Sequence, residues 1–140
     1  MSYKIVTKYI KDLSFEIHST KSYFLLEKNI KNYTFVCDIK SKEIKQNIIQ
    51  IDINLRLVPI EKETNKNIDV SVEFASVIQL EKKIEKEELE KIVLIKVPSE
   101  VYPEIRNIIM FLFEKSGFNK INIAGNIDFS KLYENRNTQK

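Results

Sequence analysis

The chain has 140 residues, 43% hydrophobic and 31% charged, a composition that predicts one folded domain over residues 1–135 and a frayed tail over 136–140. Its single cysteine excludes an internal disulfide, and two glycines are too few for a glycine-rich phosphate loop. The net charge of +3 is only mildly basic, and the first residues contain no apolar run long enough for a signal peptide. We therefore expect a cytoplasmic protein that binds no cofactor and does not insert into a membrane.

The first half of the chain alternates apolar and polar residues with a period of two, which is typical of strands with one buried face. This alternation predicts four strands, over residues 3–17, 33–40, 49–57 and 68–80. Tyr9 falls in the apolar row of the first strand, and Lys8, Asp12 and Glu16 fall in its polar row. The short polar loops between the last three strands favour antiparallel pairing, whereas the longer link at 18–32 lets the first strand pair elsewhere.

The second half of the chain changes to helical periodicity. It predicts a short amphipathic helix over 85–96, a break at 97–99, a longer helix over 100–116 and a last short helix capped by Asp128. Pro103 lies in the first turn of the longer helix, and Gly117 stands where a left-handed C-cap is favoured. The inward stripe of the longer helix comprises Val101, Ile105, Ile108, Ile109 and Leu112. Met110, Phe111 and Phe113 lie away from this stripe, so we interpret them as a subunit interface.

Reactive side chains are scarce in this sequence. His18 is the only imidazole, and Cys37 falls in the apolar row of its strand, which favours a buried thiol. Asp12 and Glu16 lie about 13 Å apart along an extended strand, which is too far for paired acid–base catalysis. These observations predict that the protein is not an enzyme. The rarity of arginine and the interleaved carboxylates disfavour nucleic acid as a partner, and a nucleic-acid-binding module stays a second alternative.

Two regions of the chain, residues 9–16 and residues 97–133, resemble the SecB family of bacterial protein-export chaperones, and the second region contains three motifs. Residues 9–16, Tyr-Ile-Lys-Asp-Leu-Ser-Phe-Glu, are similar to the motif of the family's first strand. Residues 97–106 contain two prolines and an arginine, as does the proline-punctuated start of the family's long helix. Residues 116–125 resemble the family's Gly-x-Phe loop, and residues 128–133 resemble its last helix.

The resemblance implies an α+β fold in which two main helices pack on one face of a four-stranded antiparallel sheet. It also implies a homotetramer, assembled as a dimer of dimers with the long helices at the interface. The implied activity is that of an ATP-independent holdase, which binds unfolded preproteins in apolar grooves. Such a chaperone delivers its clients to the SecA motor of the Sec translocon.

Candidate site residues come from this resemblance and from the exposed apolar surface that a holdase needs. The candidate residues of the client groove are Tyr23, Phe24, Leu25, Leu26, Val97, Val101 and Tyr102. The resemblance places SecA docking on acidic residues of the outer sheet face, at Asp12 and Glu16, with Glu73 near a third such position. Because the chain is basic where the family is acidic, a SecB-like chaperone dedicated to another client, such as an antitoxin, is the first alternative.

Overall fold

The computed structural model describes residues 2–61, 67–118 and 127–138 of the chain. The strands and helices follow one another as β1 (Tyr3–Ile17), α1 (Thr20–Asn29), β2 (Tyr33–Lys45), β3 (Ile48–Pro59), β4 (Ile68–Leu80), α2 (Lys86–Lys91), α3 (Val97–Lys115) and α4 (Phe129–Thr138). A 3-10 turn, Ile30–Asn32, leads into β2, and a π-helical turn, Ile92–Lys96, joins α2 to α3. The last helix therefore extends three residues into the segment that the sequence predicts as a tail.

The four strands form one antiparallel sheet in the order β1-β4-β3-β2. The link that contains α1 takes the chain across the sheet, so β1 pairs with β4 and both β1 and β2 are edge strands. One face of the sheet packs against the helices in a single core. The sheet contributes to this core side chains that include Ile51, Ile53, Leu55, Val72 and Ile78. The arrangement confirms the predicted α+β fold.

Two β-bulges reverse the side-chain alternation in the middle of β1. The register with β4 shifts between Ile5 and Thr7 and again between Ile10 and Asp12. Tyr9 therefore pairs with Ala75 on the outer face of the sheet, and Lys8 lies on the helix face, where its ammonium meets the Glu104 carboxylate of α3 at 2.7 Å. The predicted faces of Tyr9 and Lys8 are wrong because each bulge adds a residue to β1 without a matching residue in β4.

The helical segment runs without interruption from α2 through the π-helical turn into α3. The predicted break at 97–99 is wrong. The wider turn places the N–H of Val97 on the carbonyl of Ile92, five residues back, just before Pro98, which has no N–H to donate. The π-helical turn thus accommodates a proline that would disrupt a regular helix, and Pro103 lies inside α3 and not in its first turn.

The buried stripe of α3 repeats every four residues, through Val101, Ile105, Ile109 and Phe113. This stripe differs in phase from the predicted one, in which Ile108 and Leu112 point inward and Phe113 does not. Both Ile108 and Leu112 are half-buried, whereas the Phe113 ring is fully buried, 5.1 Å from the ring of Phe15 in β1. Phe113 is therefore a core residue of this chain and not an exposed interface residue.

The predicted caps of α3 and α4 are confirmed. Gly117 has a φ of +87°, and the N–H groups of Gly117 and Phe118 donate to the carbonyls of Glu114 and Phe113, which is a Schellman motif. The ring of Phe118 lies 5.8 Å from that of Phe113, the apolar contact that accompanies this motif. At the start of α4, the Asp128 side chain accepts from the N–H of Lys131 at 3.0 Å. Residues 119–126, which hold most of the Gly-x-Phe motif, lie outside the described part of the chain.

Candidate functional site

The outer face of the sheet carries an acidic patch formed by Asp12, Glu16, Asp69 and Glu73. The register of β1 with β4 places Asp12 opposite Glu73 and Glu16 opposite Asp69. Directly opposed side chains on one face lie about 5 Å apart between Cβ atoms, and like charges at that distance destabilise a sheet. The structure therefore brings together the three acids that the sequence analysis singled out and adds Asp69. No sequence motif marks Asp69, because only the strand register places it beside Glu16.

Nearby polar side chains pair with only part of this patch. His18 Nε2 lies 2.7 Å from an Asp69 carboxylate oxygen. Lys11 donates to Asp52 at 3.0 Å, and this hydrogen bond, together with the charges of Asp52 and Glu73, raises the pKa of Lys11. Within the described residues, the carboxylates of Asp12, Glu16 and Glu73 form no salt bridge. The patch is thus an accessible anionic surface that can attract a cationic partner.

An apolar groove lies on the other side of the molecule, along the free edge of β2. A cleft of about 640 Å³ between β2, α2 and α4 adjoins a second cleft of about 420 Å³, and the two share Ile39, Lys40, Leu94 and Tyr133. The apolar side chains that line this edge groove are Cys37, Ile39, Ile49, Leu89, Val93, Leu94, Phe129, Leu132 and Tyr133. Because β2 has no second strand neighbour in the described part of the chain, no further strand takes up the N–H and C=O groups on its outer edge.

Two helices form the far wall of the edge groove. The π-helical turn directs Val93 and Leu94 toward it, and the Tyr133 hydroxyl of α4 donates to the Glu90 carboxylate at 3.1 Å, which ties α4 to the helix before that turn. Leu132 of α4 is 47% exposed and supplies an uncovered apolar side chain. Phe129 anchors α4 in the core, where its ring lies 6.2 Å from that of Tyr102.

The edge groove offers surface for binding and no reactive group. Burial, and secondarily the charge of Asp38, raises the pKa of the Cys37 thiol to about 11, so the thiol stays protonated at neutral pH. Among the described residues, no group of three or more histidine, cysteine or acidic side chains is placed to hold a metal ion. No helix in the same residues is long and apolar enough to cross a bilayer.

The predicted groove residues divide into buried and accessible ones. Leu26, Val97, Val101 and Tyr102 are buried in the core, because α1 and the first turns of α3 pack directly onto the sheet. Phe24 and Leu25 of α1 are exposed, and Tyr23 is half-buried with its ring 5.1 Å from Phe118. None of these seven residues lines the edge groove. The alternation of β2 was the available signal for the groove, but alternation cannot tell an edge strand from a central one.

A second apolar surface lies beside the other edge strand. Lys8 and Phe15 of β1 both contact α3, and between them Ile10 and Leu13 are exposed on the helix face. Phe111 of α3 is 57% exposed, with the Lys115 ammonium 5.6 Å from its ring centre, and Met110 is half-buried. We call Ile10, Leu13, Ile108, Met110 and Phe111 the α3–β1 surface. Of the three residues predicted to form an interface, Phe111 is exposed, Met110 is half-buried and Phe113 lies in the core.

The fold and these surfaces define a small α+β binding protein, with an apolar groove at one sheet edge and an acidic face near the other. The family model described as preprotein translocase subunit SecB matches residues 1–140. A curated relative named as a protein-export protein SecB, from Pelagibacter ubique (strain HTCC1062), is 34% identical over 136 residues, 96% of each chain. The chain belongs to the SecB family of protein-export chaperones.

Solved structures share the fold at low sequence identity. A SecB-like chaperone from Mycobacterium tuberculosis, solved with a ChAD peptide of the HigA1 antitoxin, has a TM-score of 0.65 at 13% identity, covering 88% of this chain and 86% of that one. A protein of unknown function from Streptococcus agalactiae has a TM-score of 0.50 at 8% identity, covering 87% of this chain and 94% of that one. At these identities the likeness concerns the fold alone.

Proposed function

We propose that this chain is an ATP-independent holdase that binds unfolded polypeptide segments in the edge groove. The observation that carries the proposal is the pair of adjoining apolar clefts along the unpaired edge of β2. Membership of a chaperone family supports the same activity.

The groove suits an unfolded segment for two physical reasons. Apolar burial contributes about 25 cal/mol per Å² whatever the sequence of the segment, so many clients can bind. The free edge of β2 can also hydrogen-bond to the main chain of an extended segment, which every client presents. A client segment bound in the groove is removed from the pool of free unfolded chain, so the concentration of client that can aggregate falls.

A client-aggregation assay tests this proposal. Leu132→Asp places a carboxylate on the apolar wall of the groove, and we expect it to weaken suppression of aggregation at a stoichiometric ratio several-fold. Ile60→Asp is the matched control, because Ile60 is 61% exposed and lies outside the groove. Failure of the unchanged chain to slow aggregation would overturn the holdase proposal, and equal behaviour of the two variants would move the client site elsewhere.

Self-association through the α3–β1 surface is part of the same proposal. Exposed Ile10, Leu13 and Phe111 form an apolar area that a second copy of the chain can cover. The homotetramer implied by the family resemblance would use this area. Light scattering on Phe111→Glu should report a smaller species than the unchanged chain, with Phe24→Glu of α1 as an exposed control. A monomeric unchanged chain would contradict the assembly.

Docking to SecA is assigned to the acidic patch. Asp12, Glu16 and Glu73 are accessible anions on one face, and a cationic partner gains association rate and register from such a surface. Asp12→Lys with Glu16→Lys should weaken binding to the tail of SecA at least tenfold at low salt, because two attractive charges become repulsive. Glu114→Lys on the exposed side of α3 is the control. Unchanged affinity in the double variant would remove this assignment.

A chaperone dedicated to an antitoxin is the second candidate. The fold relative from Mycobacterium tuberculosis was solved with a peptide of an antitoxin, and this chain is basic, with a net charge of +3. A competition assay separates the candidates. A general export chaperone should be displaced from one unfolded preprotein by another, whereas a dedicated chaperone should keep a strong preference for a single partner over unrelated unfolded chains.

A further inference from the structure

The edge strand β2 presents two chemically different rows of side chains. Its pairing with β3 places Cys37 and Ile39 opposite the buried residues Leu55 and Ile53, on the helix face. The alternate residues of the strand therefore belong to the outer face. Among these outer residues, Lys40 and Lys42 follow each other at the part of the edge that lines the larger cleft.

Within the described residues, neither the Lys40 nor the Lys42 ammonium group forms a salt bridge. The acid opposite Lys40 is Asp52, which already accepts from Lys11 at 3.0 Å and from the Gln50 amide at 2.9 Å. Lys42 lies opposite Gln50, which is neutral.

The remaining charges of the cleft do not reverse this sign. Lys86 of α2 adds a third ammonium group to the lining, against the carboxylates of Glu43 and Glu90. Glu90 already accepts the Tyr133 hydroxyl at 3.1 Å. Asp38, which precedes the two lysines in the outer row and lines the smaller cleft, is paired with Arg56 of β3. The edge therefore has apolar side chains on its helix face, and Lys40 and Lys42 on its outer face.

We infer that the edge groove selects extended segments in which apolar residues alternate with acidic ones. This inference rests on the holdase function proposed above and specifies its client class. A segment added beside β2 as a strand points successive side chains to opposite faces. Its apolar row then meets Ile39, Leu94 and Tyr133, and its acidic row lies beside Lys40 and Lys42, where opposite charges on neighbouring strands attract.

The same lysines disfavour a second copy of the chain as the occupant of this edge. Two β2 strands paired edge to edge would each present a cationic outer row, and like charges facing across strands are destabilising. Lysines on an edge strand are a known means of preventing such self-pairing. An acidic segment gains from the feature that repels another β2.

The test uses three labelled peptides of equal length and equal apolar content, with binding read by fluorescence anisotropy. The first alternates apolar residues with glutamate, the second alternates them with lysine, and the third has the first peptide's composition with its glutamates grouped at one end. We expect the first to bind roughly three- to tenfold more tightly than the other two at low salt. The ratio of the affinities should fall toward one at about 1 M salt, where charges are screened beyond roughly 3 Å.

Charge-reversed variants locate the effect. Lys40→Glu with Lys42→Glu should invert the preference between the glutamate and lysine peptides. Lys82→Glu with Lys83→Glu, which makes the same change in net charge at exposed residues outside the groove, should leave it unchanged. An unaltered preference in the first variant, or equal binding of the alternating and grouped peptides, would overturn the inference.

The outcomes also separate this inference from the function on which it rests. If the chain suppresses aggregation but binds the three peptides equally, or binds none of them, the charge pattern is wrong and the holdase function stands. If it neither suppresses aggregation nor binds any peptide, the holdase function fails and the inference fails with it.

Discussion

The two edge strands of the sheet, β1 and β2, differ in regularity and in what lies beside them. Two bulges bend β1, and its helix-face row is fastened to α3 by the Lys8–Glu104 salt bridge and the Phe15–Phe113 contact. β2 keeps one register with β3 from Tyr33 to Glu43, and a groove lies beside its free edge. Bulges hinder the pairing of an edge with another strand, whereas a regular edge invites it. The regular edge of β2 therefore supports the proposal that an extended client segment pairs with β2, whereas the side chains of β1 pack against α3.

Loss of the ring that fastens β1 to α3 should have the largest effect. Phe113→Ala removes a fully buried ring that contacts both Phe15 and Phe118, and we expect a loss of about 3–5 kcal/mol in the free energy of unfolding. Urea unfolding followed by circular dichroism measures this loss. Phe24→Ala in α1 is the control, because its exposed ring should change stability by less than about 0.5 kcal/mol. Similar losses in the two variants would contradict the core position of Phe113.

Substitution of Gly117, in the cap that ends α3, should give the next largest loss of stability. Gly117→Ala forces a side chain into a backbone with φ of +87° and places its Cβ 2.4 Å from the Tyr23 hydroxyl, so we expect a loss of about 1–3 kcal/mol. Repeating the substitution in a Tyr23→Phe background removes the contact with the oxygen but keeps the backbone strain. The loss should therefore shrink in that background without disappearing. An equal loss in both backgrounds would remove the steric part of the explanation.

The stability of the fold should depend on pH through the Cys37 thiol of β2. The folded Cys37 thiol has a pKa of about 11, raised from 9.0 by burial, so the unfolded chain ionises first as the pH rises. The thiol therefore contributes nothing below pH 9, and the folded state loses stability between about pH 9 and 11. The rate of Cys37 alkylation against pH should have its midpoint near 11. A midpoint near 9, as expected for the unfolded chain, would place the thiol in solvent.

The sequence could predict features that depend on neighbouring residues, but not features that depend on contacts between distant residues. The alternation in β2 and β3 and the caps at Gly117 and Asp128 depend on residues near each other in the chain, so local patterns were sufficient. The position of β2 at an edge and the pairing of Glu16 with Asp69 depend on contacts between residues more than 50 positions apart. No local pattern contains that information.

Local patterns also failed where the backbone departs from regular geometry. The bulges in β1 add residues that break a period of two without changing its composition, and the π-helical turn before Pro98 lets a helix continue where proline normally ends one. The burial of Val97, one of the candidate groove residues, has a related reason. A break at 97–99 would leave Val97 outside a helix, whereas the continuous helix packs its side chain into the core.

Tyr9 gives the smallest expected effect and the sharpest test of the bulges in β1. With two bulges its ring lies on the outer face, 44% exposed, so Tyr9→Glu should lower the free energy of unfolding by less than about 1 kcal/mol. A strand without bulges would place the same carboxylate in the core, where an unpaired charge would destabilise the fold by several kcal/mol. Phe15→Glu is the matched comparison, because Phe15 contacts the core and should show that larger loss. If Tyr9→Glu proved as damaging as Phe15→Glu, β1 would be a regular strand without bulges, and its edge would no longer differ in regularity from that of β2.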